Sequence, residues 1–283
     1  MAGKNPRHSA VYPLIGMVHL LPLPGSPSFG GSMQEVIDRA VTDAGTLEEA
    51  GFDALLVENY GDAPFRKEAV DPVTIAAMAR IVSEIRRVCR LPLGIQVLRN
   101  DAAAALSIAA VAGASFIRVN VHTGVMVTDQ GIIEGGADRT LRLRAVLAPD
   151  VRIFADVLVK HARSPVPMDL ASACRETVFR GRADAVIITG PETGIPPDTA
   201  DIESARRAVD VPILAGSGAN ARNAALLLRY ADGIIVGTAI KKGGVTTAPV
   251  DGRRAASFVR EARTAMRRNA TGTDPRRRSA RAD

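Results

Sequence analysis

The chain has 283 residues, 47% of them hydrophobic, with no tryptophan and only 4% aromatics, so its core must be built from Val, Ile, Leu and Ala, the residues of buried parallel strands. The net charge of +6 sits at the two ends: residues 267–283 hold six arginines against Asp274 and Asp283, residues 1–10 hold Lys4 and Arg7 without an acid, and 11–266 is balanced. The body therefore lacks the basic excess of a nucleic-acid binder, and nucleic acid is disfavoured as a partner. The Arg276-Arg277-Arg278 stretch reads as part of a solvated, disordered tail.

Cys89 and Cys174 stand far apart with no CxxC or Cys/His cluster, which argues against zinc and fits a reducing compartment. No apolar run is long enough to span a bilayer, and no signal-peptide pattern follows the N-terminal charges, so the expected location is cytoplasmic. The expected organisation is a polar lead-in over 1–10, one large domain over 11–266 and an Arg-rich tail over 267–283.

In chain order, the first strand-like run is Leu14–Leu20, broken by Pro22, Pro24, Gly25 and Pro27. Ser32 can cap a helix reaching Ala50, with Gly51 as its stop. A strand at Asp53–Glu58 precedes a helix at about Pro72–Arg90. Leu93–Leu98 leads into an Asp101-capped, Ala-rich helix ending at Gly113. Ser115–Val121 opens a long polar loop, through His122, Thr123, Gly124, Thr128, Asp129 and Gln130 to Glu134-Gly135-Gly136, followed by a helix at about Asp138–Leu147. The apolar residues inside that loop predict a lid or wall that packs down. Val151–Val159, Ala185–Thr189, Pro212–Ala215 and Gly233–Val236 are the remaining strands. Their helices follow at about Asp169–Arg180, Asp198–Ala208, Ala221–Arg229 and Arg253–Arg267.

Eight strand-then-helix units predict a parallel sheet with right-handed crossovers, closed as a (β/α)8 TIM barrel. An open doubly wound sheet is disfavoured, because the turn after the first strand is proline-rich where GxGxxG would stand.

In such a barrel the site lies at the C-terminal ends of the strands. Glu58 ends an apolar strand and reads as a general base or as a partner for Arg118, which needs a buried acid that Glu58 or Asp156 can supply. Arg118, Asn120 and His122 share a parity, and Asn120 and His122 can donate to a substrate oxygen. Asp156 and Lys160 are the acid/base candidates, with an ion pair closing the barrel top as the alternative. Gly190 ends strand six. Gly216-Ser217-Gly218 and Gly237-Thr238, after strands seven and eight, stand where barrels seat a phosphate. Glu58, Asp156 and His122 could build a metal site, but no spacing fixes one. No cofactor is predicted, and a divalent metal is not excluded. The cysteines read as core.

Several stretches together resemble the BtpA/SgcQ family: GMVHLLPLPGSP at 16–27, VENYGDAPF at 57–65, IRVNVHTGVMVTDQGIIEG at 117–135, FADVLVKHA at 154–162, and DGIIVGTAIKKGG at 232–244 with VDGRR at 250–254. The resemblance covers about residues 12–266 and implies a TIM barrel of the ribulose-phosphate-binding type. One branch of that family is associated with photosystem I biogenesis. Another sits among sugar-transport and sugar-catabolism proteins and is described as nucleosidase-like. The family pattern supplies no catalytic residues, so the roles above rest on the residues alone.

Two functions are expected to compete. One is an enzyme acting on a small phosphorylated sugar or nucleoside. The other is a non-enzymatic biogenesis factor for a membrane complex, with the basic last helix as its peripheral membrane contact. A homo-oligomer is compatible with either.

Overall fold

In the computed structural model, which describes residues 12–192 and 194–270, the barrel strands are short, largely apolar runs buried on both faces, Arg152 at the start of one strand excepted. The barrel strands are β1 (Leu14–His19), β2 (Ala54–Glu58), β3 (Leu93–Gln96), β4 (Phe116–Val119), β7 (Arg152–Val157), β9 (Ala185–Ile188), β10 (Ile213–Ala215) and β11 (Gly233–Val236). They pair in parallel and close in the order β1-β11-β10-β9-β7-β4-β3-β2. The helices are α1 (Met33–Glu49), α2 (Pro72–Val88), α3 (Ala102–Ala112), α4 (Ala137–Leu147), α5 (Leu170–Arg175), α6 (Thr199–Ala208), α7 (Ala224–Tyr230) and α8 (Gly252–Ala270). The closed parallel barrel with alternating helices is the TIM architecture expected from the sequence.

Local chemistry sets the helix starts. Ser32 accepts from Glu35 N at 3.2 Å, Asp101 from Ala104 N at 2.9 Å, Asp169 from Ser172 N at 2.8 Å and Asp198 from Ala200 N at 2.9 Å. α3 stops at Gly113, whose φ of 68° is left-handed.

Alternation along each strand sorts side chains into two cores. One parity faces the helices and forms the large cluster that includes Leu14, Val18, Leu55, Val57, Ile117 and Ile153. The other faces the barrel axis and packs Ile15, Met17, Leu56, Phe116, Phe154, Ile187, Leu214 and Ile235 into an apolar plug. Phe116 and Phe154 stack with centroids 4.6 Å apart. Gly94 makes that possible, since a Cβ there would lie 2.2 Å from the Phe116 ring. Burying each such side chain stabilises the fold by roughly 1.5–3 kcal/mol.

Several boundaries differ from the sequence reading. The long loop after β4 contains a hairpin, β5 (Val125–Thr128) and β6 (Gly131–Glu134), and β5 also pairs antiparallel with β8 (Ala162–Arg163). Met126 and Ile133 of this small sheet are buried with Val121 and Val159, so one face packs down, while Val125, Val127 and Ile132 are exposed on the other. The helix predicted over 169–180 splits into α5 and a π-helical turn at Glu176–Arg180. α8 continues through Arg267 to Ala270, residues assigned above to the tail, and Asn269 Nδ2 donates to Leu228 O at 3.1 Å near its end. The lead-in 1–10 and the arginines at 276–278 lie outside the described residues. Among the described residues no helix is long and apolar enough to cross a membrane.

Candidate functional site

Above the apolar plug the axis-facing positions turn polar. His19, Glu58 and Gln96 lie side by side, since β1 pairs His19 with Glu58 and β3 pairs Gln96 with Glu58. Arg118 and Asn120 rise from β4, and Asp156 from β7. A cavity of about 630 Å³ opens over this layer. Its lining includes His19, Glu58, Gln96, Arg99, Arg118, Asn120 and Lys160 together with Gly216, Ser217, Gly218, Gly237 and Thr238. A Cβ on Gly237 would lie 2.8 Å from His19 Cε1 and one on Gly216 3.5 Å from Arg118 Nη2, so the glycine turns adjoin the polar groups.

Asp156 is the hub of one hydrogen-bonded chain. Arg118 donates to it twice, from Nε at 2.9 Å and Nη2 at 2.8 Å, and Asn120 Nδ2 donates at 2.8 Å. Register explains why Arg118 takes Asp156: Arg118 pairs with Phe154, so Asp156 is the next axis-facing residue up the neighbouring strand. The sequence left Glu58 and Asp156 as alternatives for this partner. The structure gives Arg118 to Asp156 in a buried bidentate pair and leaves Glu58 to His19. Nor do Asp156 and Lys160 make the ion pair weighed as an alternative.

His19 is fixed from behind. Its Nδ1 donates to Thr246 O at 3.1 Å, so the neutral ring presents a lone pair on Nε2, 3.4 Å from Glu58 Oε2. Burial, then the charge of Lys241, pushes the His19 pKa down to about 3. Burial holds the Glu58 carboxyl above the usual carboxylate range, against the pull of Arg118, Lys160 and Arg99. Both shifts favour a neutral pair, in which the Glu58 acid donates to His19 Nε2.

Lys160 lies on the loop after β7. Its N–H donates to Thr189 Oγ1 at 3.1 Å, and its carbonyl accepts from Arg99 Nη2 at 3.1 Å, so its main chain is clamped on both sides. Burial, then the nearby Arg118 guanidinium, lowers its pKa below the ordinary lysine value.

Three residues expected at the site have other partners. His122 lies past the end of β4, where strand alternation no longer holds, and its Nε2 is 2.7 Å from Gly181 O, outside the main cavity. That also separates it from Glu58, and among the described residues no group of three His, Cys, Asp or Glu is set to hold a metal ion. Ser217 Oγ donates to Ile195 O at 2.8 Å and accepts from Gly190 N at 2.7 Å. Its hydroxyl is therefore a strut for the loop after β9, and the Gly190 N–H is already bonded. Gly218, with φ of 61°, sits so close beneath that loop that a Cβ would meet Pro196 N at 2.0 Å.

Tyr60 and Arg99, which follow the second and third strands and so stand at the rim by sequence alone, line the cavity, whereas sequence reasoning passed over Thr246 as a site-forming group. Thr246 comes from the segment after β11, and no signal near it in the sequence marks it as the anchor for His19. Lys241, just past the end of the eighth barrel strand, is fully buried against Asp43 at 3.2 Å and does not reach the cavity lining. Cys89 and Cys174 are buried free thiols away from the cavity.

Comparison with known proteins agrees with the fold and gives the family. Among solved structures, the thiamine phosphate pyrophosphorylase from Pyrococcus furiosus superposes with a TM-score of 0.59 at 14% identity, over 93% of this chain and 100% of that one, a likeness of fold alone. An uncharacterized protein of Methanocaldococcus jannaschii is 51% identical over 247 residues, 87% of this chain and 94% of its own. The photosystem I biogenesis protein BtpA of Synechocystis is 48% identical over 248 residues, 87% of this chain and 86% of its own. The sgc region protein SgcQ of Escherichia coli is 33% identical over 250 residues, 87% of this chain and 92% of its own. The model of the BtpA family matches residues 10–264, which takes in all the barrel strands and every cavity residue named above, and the chain belongs to the BtpA family.

Proposed function

We propose that the protein is an enzyme that performs acid/base chemistry on a small phosphorylated sugar or nucleoside. One observation carries the reading. Ionisable and amide side chains from β1, β2, β3, β4 and the loop after β7 converge on one cavity, which two glycine turns after β10 and β11 also line. Burying so many polar groups costs free energy that a ligand can repay.

The turns Gly216–Gly218 and Gly237-Thr238 would seat the phosphate by close main-chain approach. Lys160, with its lowered pKa, would take or give a proton, and Glu58 would act as the opposing acid. Asp156 positions Arg118 and Asn120 rather than handling protons, because its carboxylate already accepts three hydrogen bonds. Isomerisation, aldol-type cleavage and glycosidic cleavage all need such an acid/base pair beside a held phosphate.

The test is a thermal-shift panel of sugar phosphates and nucleotides against the full chain. A true ligand at a hundredfold its Kd should stabilise by about 2.7 kcal/mol. A panel in which no phosphorylated compound raises the melting temperature would count against the phosphate.

A second reading takes support from the name of the Synechocystis relative, a biogenesis factor for a membrane complex. Helix α8 carries arginines at 253, 254, 260, 263, 267 and 268. On that reading the protein sediments with anionic vesicles, and the association is lost at high salt.

A further inference from the structure

Two polar atoms on residues that line the cavity at and just past β3, Gln96 Oε1 and Arg99 Nε, have no hydrogen-bond partner among the described residues. Their residues are 2% and 7% exposed. A buried polar atom left unmatched costs about 1–3 kcal/mol, more when charged, so a pair of them in one cavity marks where a ligand supplies the missing partners.

Neither atom is free to turn away. Asp156 accepts only, so Asn120 must point Nδ2 at it and Oδ1 toward Gln96. Gln96 Nε2 then donates to Asn120 Oδ1 at 3.1 Å, which leaves Gln96 Oε1 as a fixed acceptor. Arg99 is held through its N–H, which donates to Arg66 O at 3.0 Å, and through Nη2, which donates to Lys160 O at 3.1 Å. Arg118 and the Lys160 ammonium add positive potential near it, and Asp156, Asp129 and Glu58 are the acids that act on it.

An unmet acceptor beside an unmet cationic donor is complementary to a hydroxyl next to an oxyanion. We propose that the cavity holds a second oxyanion site, formed by Arg99 and Lys160, with Gln96 Oε1 accepting from a hydroxyl on the adjacent carbon. Joined to the phosphate seat proposed above, on which this clause rests, the ligand class narrows from any sugar phosphate to a small phosphorylated molecule with a second anionic end. A phosphorylated hydroxy acid and a bisphosphate share that chemistry.

The test is calorimetric titration of the full chain with inorganic phosphate, glycerol 3-phosphate, 3-phosphoglycerate, fructose 1,6-bisphosphate and glycerate. A doubly anionic ligand should bind at least about tenfold tighter than glycerol 3-phosphate, or about 1.4 kcal/mol. The carboxylate and bisphosphate arms say which oxyanion the site prefers. Arg99→Gln should erase that margin while glycerol 3-phosphate binds as before. Gln96→Glu, which places a like charge against the second anion, should erase it as well, and it serves if Arg99→Gln does not fold. Equal affinity for singly and doubly anionic ligands in the unaltered protein would overturn the site. So would an Arg99→Gln variant that weakens both classes alike. Glycerate binding that depends on Arg99, with no response to any phosphate, would instead overturn the phosphate seat and leave this site standing.

Discussion

His19 and Glu58 are register partners on β1 and β2, and His19 Nε2 lies 3.4 Å from Glu58 Oε2 with His19 Nδ1 held by the Thr246 carbonyl. The pair's two pKa shifts have opposite effects on stability as pH changes. His19 is depressed to about 3, so as pH falls below its ordinary value of 6.5 the unfolded chain takes up a proton that the folded chain refuses. Glu58 is raised above 4.5, so the folded chain takes up its proton first, and its contribution is lost as pH rises through the folded pKa.

Separating the two should therefore give stability curves that tilt in opposite directions. Glu58→Gln leaves the His19 effect alone and should lose up to about 1.4 kcal/mol per pH unit as pH falls from 6.5 toward 3. His19→Asn keeps a donor toward Thr246 O and leaves the Glu58 effect alone, so acidification should stabilise it until the unfolded Glu58 protonates near 4.5. Urea denaturation of both variants at several pH values checks this, and parallel curves would refute the neutral pair.

Lys160→Ala should abolish turnover of a phosphorylated substrate and leave its binding measurable by thermal shift. The fold should tolerate the change, because the two hydrogen bonds that fix this residue come from its main chain. In the unaltered enzyme the alkaline limb of the pH–rate profile should fall below 10.5, since burial and Arg118 both disfavour the ammonium. Undiminished turnover in the variant would remove Lys160 from the chemistry.

The Arg118–Asp156 pair predicts an asymmetry in stability. Asp156→Leu strands a guanidinium whose side chain is 5% exposed, and should cost about 3–5 kcal/mol. Arg118→Met added to Asp156→Leu should recover most of that loss, because an apolar replacement removes the uncompensated charge. Both should be inactive on the proposed substrate, since Asn120 loses its acceptor as well. Equal denaturation midpoints for the single and double variants would contradict this account.

The barrel was legible because each strand is a short, largely apolar run and several helices have their own start signal, as Ser32, Asp101, Asp169 and Asp198 show. The β5–β6 hairpin was not. Val125, Met126 and Val127 are all apolar although only Met126 is buried, so the period-two signal is absent, and the turn at Asp129-Gln130 is not a strong hairpin sequence. Within the site, parity grouped Arg118 with Asn120 correctly, although Asn120 is the first residue past the strand's end at Val119, and had failed by His122, which turns to Gly181 O. Which acid Arg118 takes depends on strand register, a long-range quantity that local pattern does not encode. Thr246 acts through His19, far along the chain, and no local spacing marks it.

Gly218 gives the sharpest test of the turn after β10. Alanine there must adopt a φ near 61° and also place a Cβ 2.0 Å from Pro196 N, so the strain adds to a backbone collision that no rotamer relieves. The loop at 195–196 has to move, and with it the Ser217 strut that holds Ile195 O and Gly190 N. Gly113→Ala is the matched control: its φ of 68° is similarly left-handed, nothing lies within 4 Å of its Cβ, and it caps α3 away from the cavity lining. The control should lose about 1 kcal/mol and bind glycerol 3-phosphate as before. Gly218→Ala should lose more stability and at least about tenfold in affinity, or about 1.4 kcal/mol. Calorimetry and urea denaturation on the two variants decide it: equal affinities would mean that the phosphate does not rest on this turn.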